Sequence, residues 1–287
     1  MSTVYIGTSP YAAAVLARSS PQLGVTLALT RPASAQGRGR RVSRSAVAQT
    51  AGELGIEVLE PERLEDAAEA IAALAPDAVV LCAYGAIVHE PLLSRYEILN
   101  VHPSLLPRWR GAAPVERAIM AADPATGVSI MRLVAELDAG PVCRAEAIAI
   151  APQDDFATLS DRLATLGARL LLEALAGPRA YVAQEDSAAT YAEKLTPADR
   201  LLDPGEPASA LERRVRALHP HIGARLHSGL GVEAARVASE VLAAGELAGR
   251  DGRLLLGATP GTLELLRVKP PGGRAMDAAS YLRGHAV

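Results

Sequence analysis

The chain has almost no cysteine, and its first fifty residues have no acid. Of 287 residues only Cys82 and Cys143 are cysteines, each inside an apolar run. So few thiols build neither a disulfide framework nor a metal-ligand spacing, which predicts buried, reduced thiols in a cytoplasmic protein. No apolar run reaches the roughly 20 residues that cross a bilayer, and the opening MSTVYIGTSP lacks the basic-then-apolar pattern of a signal peptide. Neither a membrane nor a secreted location is expected. No acidic residue precedes Glu53, yet Arg18, Arg31, Arg38, Arg40, Arg41 and Arg44 all do. The formal net charge is −3, which excludes a whole-surface nucleic-acid binder. Any polyanion contact is therefore expected to be local, on the arginines between 31 and 44.

What is present is ordinary for a globular protein: 49% hydrophobic and 21% charged residues, at a length that suits one large domain or two modest ones. The first half alternates strand-like and helical patterns. Val4–Gly7, Val25–Leu29, Asp77–Cys82, Ile98–Val101 and Gly127–Val134 read as strands. Helices are expected from Pro10, over Ala46–Leu54, along the face Leu64, Ala67, Ala68, Ile71 and Leu74, and along the stripe Leu159, Leu163, Leu166 and Leu170, the last capped by Asp154 or Asp155. Arg31–Ser45 reads as a polar loop. This alternation predicts an α/β domain, doubly wound around a mostly parallel, Rossmann-like sheet, over residues 1–182. Residues 183–207 read as a linker, with Pro197, Pro204, Gly205 and Pro207. A short helix, Ala208–Leu218, then precedes β-like runs at 224–227, 232–241, 253–258 and 262–268. Residues 208–287 are thus expected to form a smaller β-barrel domain, OB-like in kind. From Gly205 onward Lys and Arg number 11 against 8 acids, a weakly basic balance.

The chemistry concentrates at the end of the strand in LNVHPSLLPRWRGAAP, residues 99–114, which holds the only tryptophan, Trp109. Ligands of open α/β sheets bind beyond the carboxyl ends of strands. Asn100 and His102, two apart on an extended chain, project to one side. An amide donor and an imidazole there suit acyl transfer, by donating to a developing oxyanion. Capping of the following loop is the other use of such a strand end. Asp138, in Leu137-Asp138-Ala139-Gly140, is either an Asx-turn residue or the carboxylate that orients the imidazole. Neither a Gly-x-Ser-x-Gly nor a reactive-cysteine context is present. His219, His221 and His227 lack partners at ligand spacing, so no metal is expected.

Asn100-Val-His102-Pro-Ser104-Leu-Leu-Pro107, followed by Leu137-Asp138-x-Gly140, resembles the signature of folate-dependent formyltransferases. Ser104–Pro114, Gly127–Met131, Gly37–Arg41, Glu212–Pro220, Leu263–Leu266 and Ala278–Gly284 extend the resemblance along nearly the whole chain, toward the members that act on tRNA. The chain departs from that pattern at Gly7–Ala12, at Ala33 and Ser34, at Arg44-Ser45-Ala46, and at His219-Pro-His221.

The resemblance implies transfer of a formyl group from 10-formyltetrahydrofolate to the α-amino group of methionyl initiator tRNA. It implies Asn100 and His102 as oxyanion donors and Asp138 as the group that orients His102 or relays the amine proton. It places the folate against Tyr84, Gly85 and Ala86, with Ser104, Leu105, Leu106 and Pro107 bordering the site. It sets Arg38, Arg40 and Arg41 on the tRNA, assisted by the C-terminal domain. A monomer with no DNA partner is expected. Two other readings are weighed: a formyltransferase for a small amine, which needs no five-arginine loop, and a non-catalytic RNA-binding protein, which needs no Asn100, His102 and Asp138.

Overall fold

The computed structural model describes residues 1–36 and 41–285. The chain divides into two compact units, described separately here. The first comprises residues 1–114, 125–149 and 160–193, and the second residues 115–124, 150–159 and 194–287.

The first unit opens with β1 (Thr3–Gly7), α1 (Pro10–Leu23) and β2 (Val25–Leu29). Ser9 caps α1 by accepting from Ala12 N at 3.2 Å, and Pro10 sits where its missing N–H costs nothing. Gly24, at φ +57°, ends the helix in the left-handed conformation. A two-stranded antiparallel ribbon follows, β3 (Ser34–Gln36) and β4 (Arg41–Ser43). The sequence reads this stretch as loop because three residues are too few to display a period of two. Then come α2 (Ala46–Glu53), β5 (Glu57–Leu59), α3 (Ala68–Leu74), β6 (Ala78–Cys82), α4 (Leu92–Arg95), β7 (Ile98–His102) and β8 (Arg110–Gly111). The face read from Leu64 to Leu74 splits into a 3₁₀ turn over Leu64–Ala67 and α3 proper. Next in the chain are α5 (Pro114–Met120), which from Val115 on belongs to the second unit, then β9 (Ala125–Arg132), β10 (Val142–Ala149), α6 (Phe156–Ala176), which belongs to the first unit from Ser160 on, and β11 (Tyr191–Ala192).

Seven strands form the main sheet in the order β10-β9-β7-β6-β1-β2-β5. The five from β5 to β7 are parallel, while β9 runs antiparallel to β7 and β10 to β9. This is the mostly parallel, doubly wound sheet that the alternation predicts. β1, β6 and β7 are buried at every residue, as continuous apolar strands in the middle of a parallel sheet should be. The edge strands β5 and β10 do not show in the sequence: one is three residues long, and the other, VCRAEAIA, is rich in alanine, a poor strand former. Gly167 lets α6 approach the sheet, since a Cβ there would stand 3.0 Å from Val101 Cγ1 of β7.

In the second unit α7 (Ala208–Leu218) has the predicted bounds. It is followed by β12 (Ala224–Arg225), β13 (Gly231–Ala238), β14 (Leu247–Arg250), β15 (Arg253–Gly257), β16 (Thr262–Lys269), β17 (Met276–Asp277) and α8 (Ala278–Gly284). All strand pairs here are antiparallel, in the order β12-β13-β16-β15-β14, with β17 on β16. Leu211, Val215 and Leu218 of α7 pack with Val232, Leu254, Leu263 and Leu265 of the sheet. This is the separate, smaller β unit expected from the glycine-punctuated runs. In this unit His221 Nε2 lies 2.9 Å from Glu116 Oε1, and its ring stacks on Phe156.

Candidate active site

Asn100 and His102 end β7, with Val101 between them turned toward α6. The register sets Asn100 beside Leu81 of β6 and Met131 of β9. Both polar side chains are buried, 4% and 5% exposed. Buried polar groups need partners, and the structure supplies them from two loops.

The first loop is the turn after β9. Asp138 adopts φ +48° in it. Gly140 closes it against β9 so tightly that a Cβ would fall 1.8 Å from the Arg132 carbonyl. The turn carries the Asp138 carboxylate to β7. Oδ1 accepts from Asn100 Nδ2 at 3.2 Å, and Oδ2 accepts from Gly111 N at 2.8 Å. His102 Nδ1 stands 3.7 Å from Oδ2, within reach of a charge interaction and outside a direct hydrogen bond.

The second loop is residues 103–111. Its Ser104 hydroxyl donates to Arg108 O at 2.6 Å, and Ser129 Oγ ties the loop to β9 by donating to Ser104 O and accepting from Leu106 N. These bonds present the Trp109 carbonyl, at φ +63°, to His102 Nε2 at 2.9 Å. A carbonyl only accepts, so Nε2 carries a proton. Nδ1 is then the nitrogen that faces Asp138.

The structure therefore brings Asn100, His102 and Asp138 together. The remaining candidates divide. Ser104 is spent on its own loop. Leu106 and Pro107 line a cavity of about 350 Å³ with Val142–Ala145, Ala180 and residues 182–185, and Tyr84, Gly85 and Ala86 are not in that lining. Those three leave the carboxyl end of β6, next to the carboxyl end of β7. The Tyr84 ring packs into the core with Leu64, Val88 and Leu92, and burial raises its hydroxyl pKa, which leaves its backbone for the cleft. Gly85 has φ +80° and open space where a Cβ would be. Ile87 and Leu137, in the loop after β6 and the turn of Asp138, are 66% and 59% exposed. Arg38 and Arg40 lie outside the described residues, and Arg41 begins β4, its backbone paired with Gln36.

Sequence reasoning misses Gln184, Arg110 and Thr190. Gln184 Nε2 donates to the carbonyls of Asp138 and Gly140 at 2.8 and 2.7 Å, and its Oε1 accepts from Arg110 Nε at 3.0 Å. Thr190 Oγ1 accepts from Trp109 N at 2.9 Å. A lone Gln or Thr in a polar stretch has no spacing to announce it.

Neither thiol offers a nucleophile: burial pushes Cys82 up to about 12 and raises Cys143 as well. Among the described residues no cluster of His, Cys, Asp and Glu could hold a metal ion. What remains is an amide bonded to an oriented carboxylate and an imidazole that faces the same carboxylate, a grouping suited to stabilising negative charge on an acyl group.

A family model for formyl transferase matches residues 3–175, and one for the formyl transferase C-terminal domain matches residues 194–286. The chain belongs to the formyl transferase family. It is 44% identical over 277 residues to the methionyl-tRNA formyltransferase of Halorhodospira halophila, covering 90% of this chain and 87% of that one. With the methionyl-tRNA formyltransferase of Paracoccus denitrificans it shares 40% identity over 296 residues, covering 100% and 98% of the two chains. Among solved structures its fold is similar to HypX from Aquifex aeolicus in complex with tetrahydrofolic acid, at 16% identity and a TM-score of 0.63. That match covers 98% of this chain and 46% of HypX, so the formyl transferase described here spans about half of that larger protein.

Proposed function

We propose that the protein transfers the formyl group of 10-formyltetrahydrofolate to the α-amino group of methionine on initiator tRNA, for translation initiation in the cytoplasm. The observation that carries the reading is the Asp138 carboxylate, bonded to Asn100 and facing His102 at the sheet edge. The amino acid and the tRNA come from the names of the relatives that share 44% and 40% identity with this chain. Among the described residues no helix is long and apolar enough to cross a membrane.

The folate carries the formyl group on nitrogen; the amine attacks the formyl carbon without an acyl-enzyme, the bond from that carbon to the folate nitrogen breaks, and the proton the amine gives up passes to that nitrogen as tetrahydrofolate leaves. Two high-pKa thiols agree with such direct transfer. Asn100 spends one amide proton on Asp138 and gives the other to the oxyanion. His102, anchored through Nε2–H on the Trp109 carbonyl, donates from Nδ1 in its imidazolium form. Asp138 holds Asn100 by a hydrogen bond and faces Nδ1 at 3.7 Å, where it orients the ring or relays the amine proton. The backbone of residues 83–87 binds the folate ring, with Ser104, Leu105, Leu106 and Pro107 at its border. Arg38, Arg40 and Arg41 bind the tRNA acceptor end. Residues 1–182 carry the chemistry, with residues 184–192 supporting the site loop, the rest of 183–207 connects, and 208–287 hold RNA phosphates. The protein works as a monomer.

The test is incubation with methionyl initiator tRNA and 10-formyltetrahydrofolate, followed by detection of formyl-methionine. Formylation of an amino-sugar nucleotide or glycinamide ribonucleotide in place of the tRNA would overturn the substrate. Asn100→Ala should lose roughly 10²–10³ in kcat with folding intact, as removal of other oxyanion donors does. Near-parental turnover would remove Asn100 from the mechanism.

A further inference from the structure

Asp138 sits in a closed ring of hydrogen bonds. Its carboxylate accepts from Gly111 N. The residue before Gly111 is Arg110, 3% exposed, whose guanidinium donates to Gln184 Oε1. Gln184 Nε2 returns to the Asp138 carbonyl and reaches the Gly140 carbonyl too. Carboxylate and backbone of one residue are thus tied to a single side chain and its anchor. The orientation of the amide follows from its partners. Turned over, it would set NH2 against a guanidinium and oxygen against two carbonyls.

The ring has an outer support. Arg110 NH2 also pairs with Asp186 at 2.7 Å. β11 pairs with β8, placing Tyr191 opposite Arg110 and Ala192 opposite Gly111. Gly111, at φ +118°, admits the Ala192 carbonyl where a Cβ would stand 2.7 Å away. Residues 184–192 therefore hold the loop that feeds both Gly111 N and Trp109 O into the site. Asp138 itself has a left-handed φ, which aspartate adopts more readily than other side chains but still at a cost. Gln184 holds it on the carbonyl side.

From this geometry we infer that Gln184 is a positioning residue, which keeps the Asp138 carboxylate aimed at Asn100 and His102. The inference rests on the formyl-transfer reading above. Gln184 spends its amide on Arg110 and on the Asp138 and Gly140 carbonyls, none of them a group assigned to the oxyanion. It acts through Asp138, and the amide, as opposed to any side chain of that size, is required.

Gln184→Glu tests it. Glutamate keeps the length and pairs with Arg110, so an anchoring role for Arg110 alone survives. It loses both donors and turns an oxygen toward two carbonyls. Expected are a fall in kcat of about 10²-fold, the scale of a 1 Å misplacement, KM values for folate and tRNA within about two-fold of parent, and a thermal midpoint lower by only a few degrees, so that the variant is folded at the assay temperature. In an Asp138→Ala background the same change should cost almost nothing further, since residues acting as one unit are not additive. Gln184→Met, of similar volume and uncharged, carries the comparison if the Glu variant does not fold. A kcat within two-fold of parent in the folded variant overturns the inference. So does a loss fully multiplicative with Asp138→Ala. A parent that formylates no amine overturns instead the formyl-transfer reading, so the two failures are distinct.

Discussion

Trp109 and Asp138 both have positive φ, +63° and +48°, in the region that L-residues avoid at a cost of roughly 1–2 kcal/mol. Each is paired on both sides of the strain. Trp109 gives its N–H to Thr190 and its carbonyl to His102. Asp138 gives its carbonyl to Gln184 and its carboxylate to Asn100 and Gly111. Strain of this kind fixes direction, which hydrogen-bond donors to an oxyanion need. Gly140 makes the Asp138 turn possible. An alanine Cβ would meet a backbone oxygen at 1.8 Å, and neither partner is a flexible side-chain end. Gly140→Ala should therefore cost roughly 1–3 kcal/mol, the range for overpacking, and lower kcat by moving Asp138. Denaturant unfolding and steady-state kinetics on the same preparation check both. Parental values in each would mean that the turn is not needed for the site.

Among the elements, the three strands β13, β16 and β15 are joined by one buried carboxylate. Glu264 on β16 stands opposite Arg236 of β13 and Leu255 of β15, and is 5% exposed. It accepts from Arg253 at 2.6 Å and from Arg236 at 2.9 Å, while Arg253 also pairs with Glu240. The hydrogen bond from Arg253 holds the Glu264 carboxyl below its usual range, against burial, and Arg236 adds to the effect. A lowered folded pKa means stability that is complete above the ordinary carboxylate range, about pH 4–5, and is lost as pH falls through the folded value. Glu264→Gln should destabilise at pH 7 by about 1–3 kcal/mol, the scale of a lost charge-assisted bond. The gap between parent and variant should narrow at acid pH. Thermal midpoints at pH 7 and near pH 3.5 decide the matter, and a gap independent of pH would show that the ion pairs contribute nothing.

Across the whole molecule, what the sequence reveals follows from how locally each feature is encoded. β1 and β6 are legible because burial on both faces writes an apolar run, α1 and α6 because cap and stripe coincide, and α7 from its apolar stripe alone. The Asn100–His102 pair is legible from its i, i+2 spacing. The approach of Asp138 is not, because it depends on a left-handed φ and on Gly140 pressed against Arg132. Gln184, forty-four residues from Gly140, is invisible for the same reason: its partners are carbonyls, which every residue has.

Charge is the feature that only the whole molecule gives meaning to. A net −3 chain that gathers five arginines between 31 and 44 concentrates its attraction for phosphate in one place. Arg38 lies outside the described residues, between Gly37 and Gly39, and far in sequence from Asn100, His102 and Asp138. If it neutralises a tRNA phosphate, its contact releases a counterion, and the loss of affinity with salt reports that release. Arg38→Ala should then weaken tRNA binding and flatten the plot of log affinity against log salt by about one unit of slope. Folate affinity and thermal midpoint should stay at parental values, because neither involves a phosphate of the tRNA. Titrations of both proteins with tRNA at several salt concentrations, with folate binding measured alongside, separate the alternatives. Equal slopes and equal affinities would make the arginines a solvated surface and shift the reading toward a formyl transferase for a small amine.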